Sequence, residues 1–193
     1  MNTCNMRAEK DILKIKAVLL YMLNKFDEKV DFIKLFKLLY LAQKEHLRLY
    51  GIPLIKDDFY TFKAGPAPSI IYNICKFAKG ECSDKSLELI AKTIQVTTEK
   101  DKKVNFVKAL ENPDMNRLSK SNLRVIDDIY DKYQACSSSK LSNITHDAAW
   151  RKNWNEDEKK PKKIPINDIV LAAGVSDGMR KYIQESLLMN GMS

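Results

Sequence analysis

Apolar residues recur every three or four positions through two N-terminal segments, and this period predicts two α-helices. The first helix spans about residues 11–26. The second begins after Asp31, whose side chain is placed to accept a hydrogen bond from a free backbone N–H of the first turn. It ends at Gly51, because glycine readily adopts the left-handed conformation that closes a helix. The second segment is apolar around more than half of its circumference, so we predict that it is the central helix of the fold.

Shorter patterns interrupt the helices in the middle of the chain. Residues 52–63 are aromatic and β-branched, which is typical of an extended connector or one short strand. Residues 64–68 form a predicted turn, and Pro68 suits the first turn of the helix that follows. The β-prone runs Thr93–Thr98 and Lys103–Val107 flank a polar tetrapeptide, and together they predict a small hairpin.

The final third of the chain returns to the helical period. Ser119 is the predicted cap of a helix that runs through Tyr133, and a further helix is expected from Leu141 to about Trp154. No strand–helix–strand alternation occurs, which argues against doubly wound folds. We therefore predict a mainly α fold, a compact multi-helix domain with one small two-stranded β ribbon.

The domain organisation follows from the same patterns. We expect one helical domain over residues 1–155 and a charged linker over residues 156–165. A C-terminal helical extension over residues 166–193 is expected to pack on that domain.

Composition narrows the class of protein. The 193 residues are 45% hydrophobic and 30% charged, as in an ordinary folded domain with its own core. The longest apolar run, Ala17–Leu23, is too short to span a bilayer, and the polar N-terminus lacks a secretory signal, so we expect a cytoplasmic protein without membrane contact. In that reducing compartment the scattered cysteines are expected to be free thiols: Cys4, Cys75, Cys82 and Cys136.

No residue pattern points to catalysis or to a cofactor. The two histidines, His46 and His146, share no metal-ligand spacing with the cysteines, and no phosphate-binding glycine loop or nucleophile motif occurs. We therefore expect a protein that is not an enzyme and that needs no metal or cofactor.

The basic excess leaves a nucleic-acid partner open. The chain has 33 Lys and Arg against 25 Asp and Glu, a net charge of +8, and only six of the basic residues are Arg. A lysine excess is typical of a solvated surface, because specific phosphate and base recognition favours Arg. The alternative function is a DNA-binding regulator that uses the basic C-terminal region, where Arg180 and Lys181 follow a helix and the turn at Gly174. The competing interpretation of that region is an amphipathic helix that packs on the domain.

Three sequence marks in order resemble those of one family. The stretch from Ile33 to Gln43, with His46-Leu47 and then Tyr50–Leu54, resembles the K-L-x-K-L-L-Y-x-A-Q-x-x-x-L-x-x-x-G-x-P-L run of the Panacea domain family. Members of this family are also described as phage-associated GepA-like or SocA-like proteins. The next mark is an aromatic-Lys-x-Gly-Pro turn, here residues 62–66, before a Pro-led helix with a Tyr. The last is a Leu-Ser-x-x-Thr-His segment ending in Trp150.

The sequence departs from the family pattern at the turn. Phe62 stands where Trp is frequent, and Ala64 stands where Tyr is frequent before Gly-Pro. These departures concern the surface of the turn. The three marks span roughly residues 12–155.

The resemblance implies a mostly helical antitoxin of a bacterial or phage toxin–antitoxin system. It implies neutralisation of a cognate protein toxin, encoded beside it, by direct protein contact, and in at least one branch delivery of the toxin to a AAA+ protease. No catalytic residues come with the family. The sequence leaves open the toxin, binding to nucleic acid and assembly as a homo-oligomer.

The hypothesis for the partner-binding surface uses the later two marks, because those in the second helix are largely aliphatic and explained by core packing. A rigid turn with aromatic neighbours loses little entropy on binding, and a large aromatic can anchor an interface. The competing hypothesis is that these residues only hold the fold together. The predicted site consists of Phe62, Lys63, Gly65, Pro66, Pro68, Tyr72, Thr145, His146 and Trp150.

Overall fold

The computed structural model describes residues 3–99, 101 and 103–189. The helices are α1 (Thr3–Leu23), α2 (Phe32–Tyr50), α3 (Ser69–Ala78), α4 (Glu88–Ala91), α5 (Lys120–Tyr133), α6 (Ser138–Thr145), α7 (Ala148–Asn153), α8 (Ile166–Ala172) and α9 (Asp177–Met189). The strands are β1 (Val30–Asp31), β2 (Phe59–Tyr60), β3 (Ala67–Pro68), β4 (Ile94–Glu99) and β5 (Val104–Ala109). Short 3₁₀ turns at Lys85–Leu87 and Met115–Arg117 complete the described elements. The prediction of a mainly α fold is confirmed.

Helix α2 is the central helix, as its apolar pattern predicts. It contacts α1, α5, α6 and α8, and its side chains from Leu35 to Gln43 are all buried. The predicted ends are confirmed. The Asp31 carboxylate accepts a hydrogen bond from the Lys34 backbone N–H at 3.0 Å, and Gly51 closes the helix in the left-handed conformation with φ +67°.

Strands occupy more of the chain than the predicted single ribbon. The expected hairpin is present as β4 and β5, which pair antiparallel with Val96 opposite Val107. Strand β1 adds to the outer side of β5, so the sheet has three strands in the order β1-β5-β4. Strands β2 and β3 form a second antiparallel pair. Strands β1, β2 and β3 are each two residues long, which is too short for an alternating pattern in the sequence to reveal them.

The helix expected from Leu141 to Trp154 is two helices, and that prediction was wrong. Helix α6 ends at Thr145, His146 leaves the helical conformation with ψ 51°, and Asp147 caps α7 by accepting the Trp150 backbone N–H at 3.1 Å. An Asp side chain competes for free N–H groups at a helix start, so it can begin a new helix where the apolar period continues.

The C-terminal extension packs against the rest of the chain through its own hydrophobic cluster. Ile169, Ile183 and Leu187 are buried there against Tyr40 and Phe59. Residues 156–165, expected as a linker, pair in part with β2, because the Thr61 N–H donates to the Lys162 carbonyl and the Ile164 N–H to the Phe59 carbonyl. None of the helices that the structure describes is long and apolar enough to cross a membrane.

Candidate partner-binding site

The turn between β2 and β3 is closed by backbone hydrogen bonds and held against two helices. The Gly65 N–H donates to the Phe62 carbonyl at 2.8 Å, and the Phe62 N–H donates back to the Gly65 carbonyl at 3.3 Å. Gly65 has φ +102°, a conformation that side chains with a Cβ rarely adopt. A Cβ there would lie 2.9 Å from Lys37 Cε and 2.9 Å from Thr145 Oγ1. The turn therefore reaches its place only with glycine at this position.

Lys37 is a buried cation beneath the turn. It lies on α2 with 2% of its surface exposed, and its Nζ donates to the Pro66 carbonyl at 2.8 Å. Burial lowers the pKa of the Lys37 ammonium from 10.5 to about 7, because the charged form loses its hydration. The Pro66 carbonyl thus takes the place of the water molecules that would bind the amine of a surface lysine, and the lowered pKa favours the uncharged amine.

His146 lies where α6 ends and α7 is about to begin, beside the turn. Its ring stacks on the Trp150 ring with centroids 3.7 Å apart and an interplanar angle of 16°. Its Nε2 atom is buried and has no hydrogen-bond partner in the part of the chain that the structure describes. Burial first and the charge of Lys37 second lower the pKa of His146, and a backbone hydrogen bond with Lys63 acts in the opposite direction. The imidazole is therefore biased to its neutral form.

Aromatic rings connect the turn to α3 and α7. Trp150 Nε1 donates to the Phe62 carbonyl at 3.0 Å, and the Trp154 ring stacks on the Trp150 ring with centroids 5.6 Å apart. The Phe62 ring packs at 5.1 Å from the Tyr72 ring on α3. Because each ring is held by a neighbour, these side chains are fixed before any partner arrives.

A second polar cluster holds the start of α7 on α2. The Asp147 carboxylate accepts a hydrogen bond from the Tyr40 hydroxyl, with the two oxygens 3.1 Å apart, and it forms an ion pair with Lys44 Nζ at 2.5 Å. Burial first and the charge of Asp147 second raise the pKa of Tyr40, so its hydroxyl stays a donor. The cluster fixes the break between α6 and α7, and with it the position of His146.

The structure brings all nine predicted residues to one region but exposes them to different degrees. Lys63 is exposed, and the side chains of Phe62, Tyr72, His146 and Trp150 are partly exposed. Four others are buried and position the rest rather than meeting solvent: Gly65, Pro66, Pro68 and Thr145. Direct contact with a partner therefore falls to the first group.

Sequence reasoning missed four residues of this region. The sequence places Lys37 and Tyr40 in the second helix without a role at the site, and it places Asp147 and Trp154 in one continuous helix. A signal existed for Lys37, because a lysine on the side of a helix that also carries core residues has to find a buried acceptor. For Asp147 the signal was an Asp directly after His at the end of a Thr-His mark, which suits a helix cap.

The three sequence marks are far apart in the chain, but the structure brings them into contact at the Gly65 turn. The comparison with protein families matches the same part of the chain. The family model for SocA-like antitoxins with a Panacea domain matches residues 35–151. The chain belongs to this family. The matched part runs from the first turn of α2 into α7, so it includes Lys37, the turn, His146 and Trp150. No curated protein and no solved structure matches the chain.

Helices α8 and α9, outside the matched residues, carry the region considered for DNA binding. Gly174 forms the expected turn with φ +68° between them. Arg180 pairs with Asp177 on the same helix, while Lys181 is exposed. Ile183 and Leu187 face the domain and are buried, which agrees with an amphipathic helix that packs on it. Within the described residues, no three His, Cys, Asp or Glu side chains come close enough together to hold a metal ion.

Proposed function

We propose that this protein is the antitoxin of a toxin–antitoxin pair and that it neutralises a cognate protein toxin in the cytoplasm by direct binding. The observation that carries the proposal is the match of the SocA-like antitoxin family to the stretch whose marks meet at the Gly65 turn. The proposed contact surface is formed by Lys63 and the partly exposed rings of Phe62, Tyr72, His146 and Trp150.

The geometry of the rings supports a binding role. His146, Trp150 and Trp154 form a continuous stack, and Trp150 is also tied to the turn by its indole N–H. A surface of rings already held in place loses little side-chain entropy when a partner binds. Aromatic side chains of this kind contribute most strongly to protein–protein affinity.

We propose binding without catalysis. The described residues supply His146 with no carboxylate to orient its ring, and its Nε2 has no hydrogen-bonded nucleophile. A general base needs both a reachable proton donor and a suitable pKa. The fixed rings around His146 instead support a role in binding a partner.

Co-expression with the product of the adjacent gene tests the proposal. We expect that product to stop growth of a bacterial host alone, and this protein to restore growth and to co-purify with it. Toxin abundance separates the routes, because it stays constant on sequestration and falls on delivery to a AAA+ protease. If neither adjacent product is toxic, or if a toxic product neither co-purifies with nor is neutralised by this protein, the proposal is refuted.

Two alanine variants test the surface. Phe62→Ala and Trp150→Ala should each weaken toxin affinity by about tenfold or more, because a large ring leaves the interface. Phe106→Ala is the matched control, since Phe106 is also half-buried but lies on β5. Melting temperature is measured on the same samples. If the site variants melt early while their folded fraction binds at full strength, these rings belong only to the scaffold.

A further inference from the structure

The positive charge of the chain is concentrated in the elements that build the site. Helix α2, residues 59–78 and residues 138–153 together contain 9 of the 33 Lys and Arg but only 2 of the 25 Asp and Glu. The remaining residues contain 24 basic and 23 acidic side chains and are therefore nearly neutral. Less than a third of the sequence thus carries almost the whole net charge of +8.

Several of these cations are used inside the protein. Lys37 is buried under the turn, Lys44 pairs with Asp147, and Arg48 pairs with Glu45 on the same helix. Both acidic residues of these elements are thereby neutralised. The side-chain charges of these three segments that have no ion-pair partner within the segments are therefore all positive.

Three exposed cations of these elements have no carboxylate partner among the described residues: Lys63, Lys140 and Arg151. Lys63 is exposed on the turn, next to His146. Arg151 Nε donates to the His146 carbonyl at 2.7 Å, which leaves most of its guanidinium free. Lys140 is exposed on α6, one turn from Ile144, whose side chain is 37% exposed. The elements of the site therefore present partly exposed rings, the exposed Ile144 and three exposed positive charges, here called the rim.

We infer, on the basis of the proposed toxin binding, that the partner meets this surface with an acidic protein face that has an apolar centre. Complementary charge at a rim steers two proteins together and selects among partners. The exposed Ile144 and the edges of the rings suit apolar side chains better than a phosphate backbone.

The local structure also disfavours a nucleic acid here. Helix N-termini attract phosphate through their free N–H groups. At the start of α7 that position is taken by the Asp147 carboxylate, and at the start of α6 by the Ser137 hydroxyl. Arg151 is the single Arg of the rim, whereas phosphate and base recognition favours several.

The test is a charge reversal at the rim, measured as the rate of association with the toxic product of the adjacent gene. Lys63→Glu with Lys140→Glu is compared with Lys108→Glu with Lys120→Glu, an equal change of net charge at exposed positions outside the site. None of these four side chains makes a hydrogen bond or an ion pair with the residues that the structure describes, so neither pair of substitutions should lower the melting temperature. Stopped-flow association is recorded from about 0.05 M to about 0.5 M NaCl, a range over which screening of exposed charges becomes strong.

We expect the rim variant to associate about tenfold more slowly at low salt, with the difference shrinking at high salt, and the control to change less than about twofold. Equal slowing of both variants would mean that only net charge matters, and would overturn this inference while toxin binding stands. Absence of any toxin binding would overturn the proposed function as well. Tight binding of a short DNA duplex that is lost in the rim variant alone would assign the surface to nucleic acid instead.

Discussion

Replacing Gly65 by alanine tests how tightly the turn is held against the two helices. The variant adds one methyl group at φ +102°, where it would meet Lys37 Cε and Thr145 Oγ1 at 2.9 Å and His146 Cδ2 at 3.3 Å. Thr145 is fully buried, and its hydroxyl donates to the Leu141 carbonyl, so it has little freedom to move away. The methyl group therefore strains both the backbone and its neighbours.

Two costs add in this variant. An unfavourable backbone conformation costs about 1–3 kcal/mol. Overpacking a filled site costs about 1–3 kcal/mol more, because buried neighbours have to leave their preferred rotamers. We expect Gly65→Ala to lower the free energy of unfolding by roughly 2–6 kcal/mol.

Gly80→Ala separates the two costs. Gly80 also has a positive φ, +83°, but no heavy atom of the described residues lies within 4 Å of the place where its Cβ would be. Urea unfolding of both variants, followed by far-UV circular dichroism, should show Gly65→Ala to be less stable than Gly80→Ala by about 1–3 kcal/mol. Equal losses would show that the turn is not packed against Lys37 and Thr145, and the reasoning about the site would fail.

Two further variants test the burial of the Lys37 ammonium and the packing of α9 against Gly51. In the unfolded chain the pKa of Lys37 returns to its ordinary 10.5. As the pH falls from about 10 to 7, the unfolded state therefore takes up this proton before the folded state does, and the free energy of unfolding of the wild type falls by up to a few kcal/mol. Lys37→Met should lose this part of the pH dependence in urea unfolding, and an unchanged slope would contradict the burial of the ammonium. A Cβ at Gly51 would lie 2.6 Å from Met179 Sδ and 2.9 Å from the Tyr182 ring. Gly51→Ala should therefore speed amide hydrogen exchange in α9, whereas Gly174→Ala, with a matching φ of +68° and open space, should not.

The sequence by itself determined the elements whose signals are local. The cap at Asp31, the end at Gly51, the cap at Ser119 and the β4–β5 hairpin all depend on residues within a few positions of each other. Capping bonds and turn conformations form inside one or two turns of chain, so their residues can be read without the rest of the fold. The family marks also identified the segments that meet at the turn.

Only the tertiary structure decided what those marks do. Lys37 can be buried because its Nζ donates a hydrogen bond to the Pro66 carbonyl, 29 residues later in the chain. Asp147 lies between α6 and α7, and its carboxylate is held by Tyr40 and Lys44, which are more than 100 residues earlier. Hydrophobic period and capping propensity contain no information about partners so distant in the chain. Which motif residues face solvent was decided the same way, since burial depends on the elements that pack across the turn.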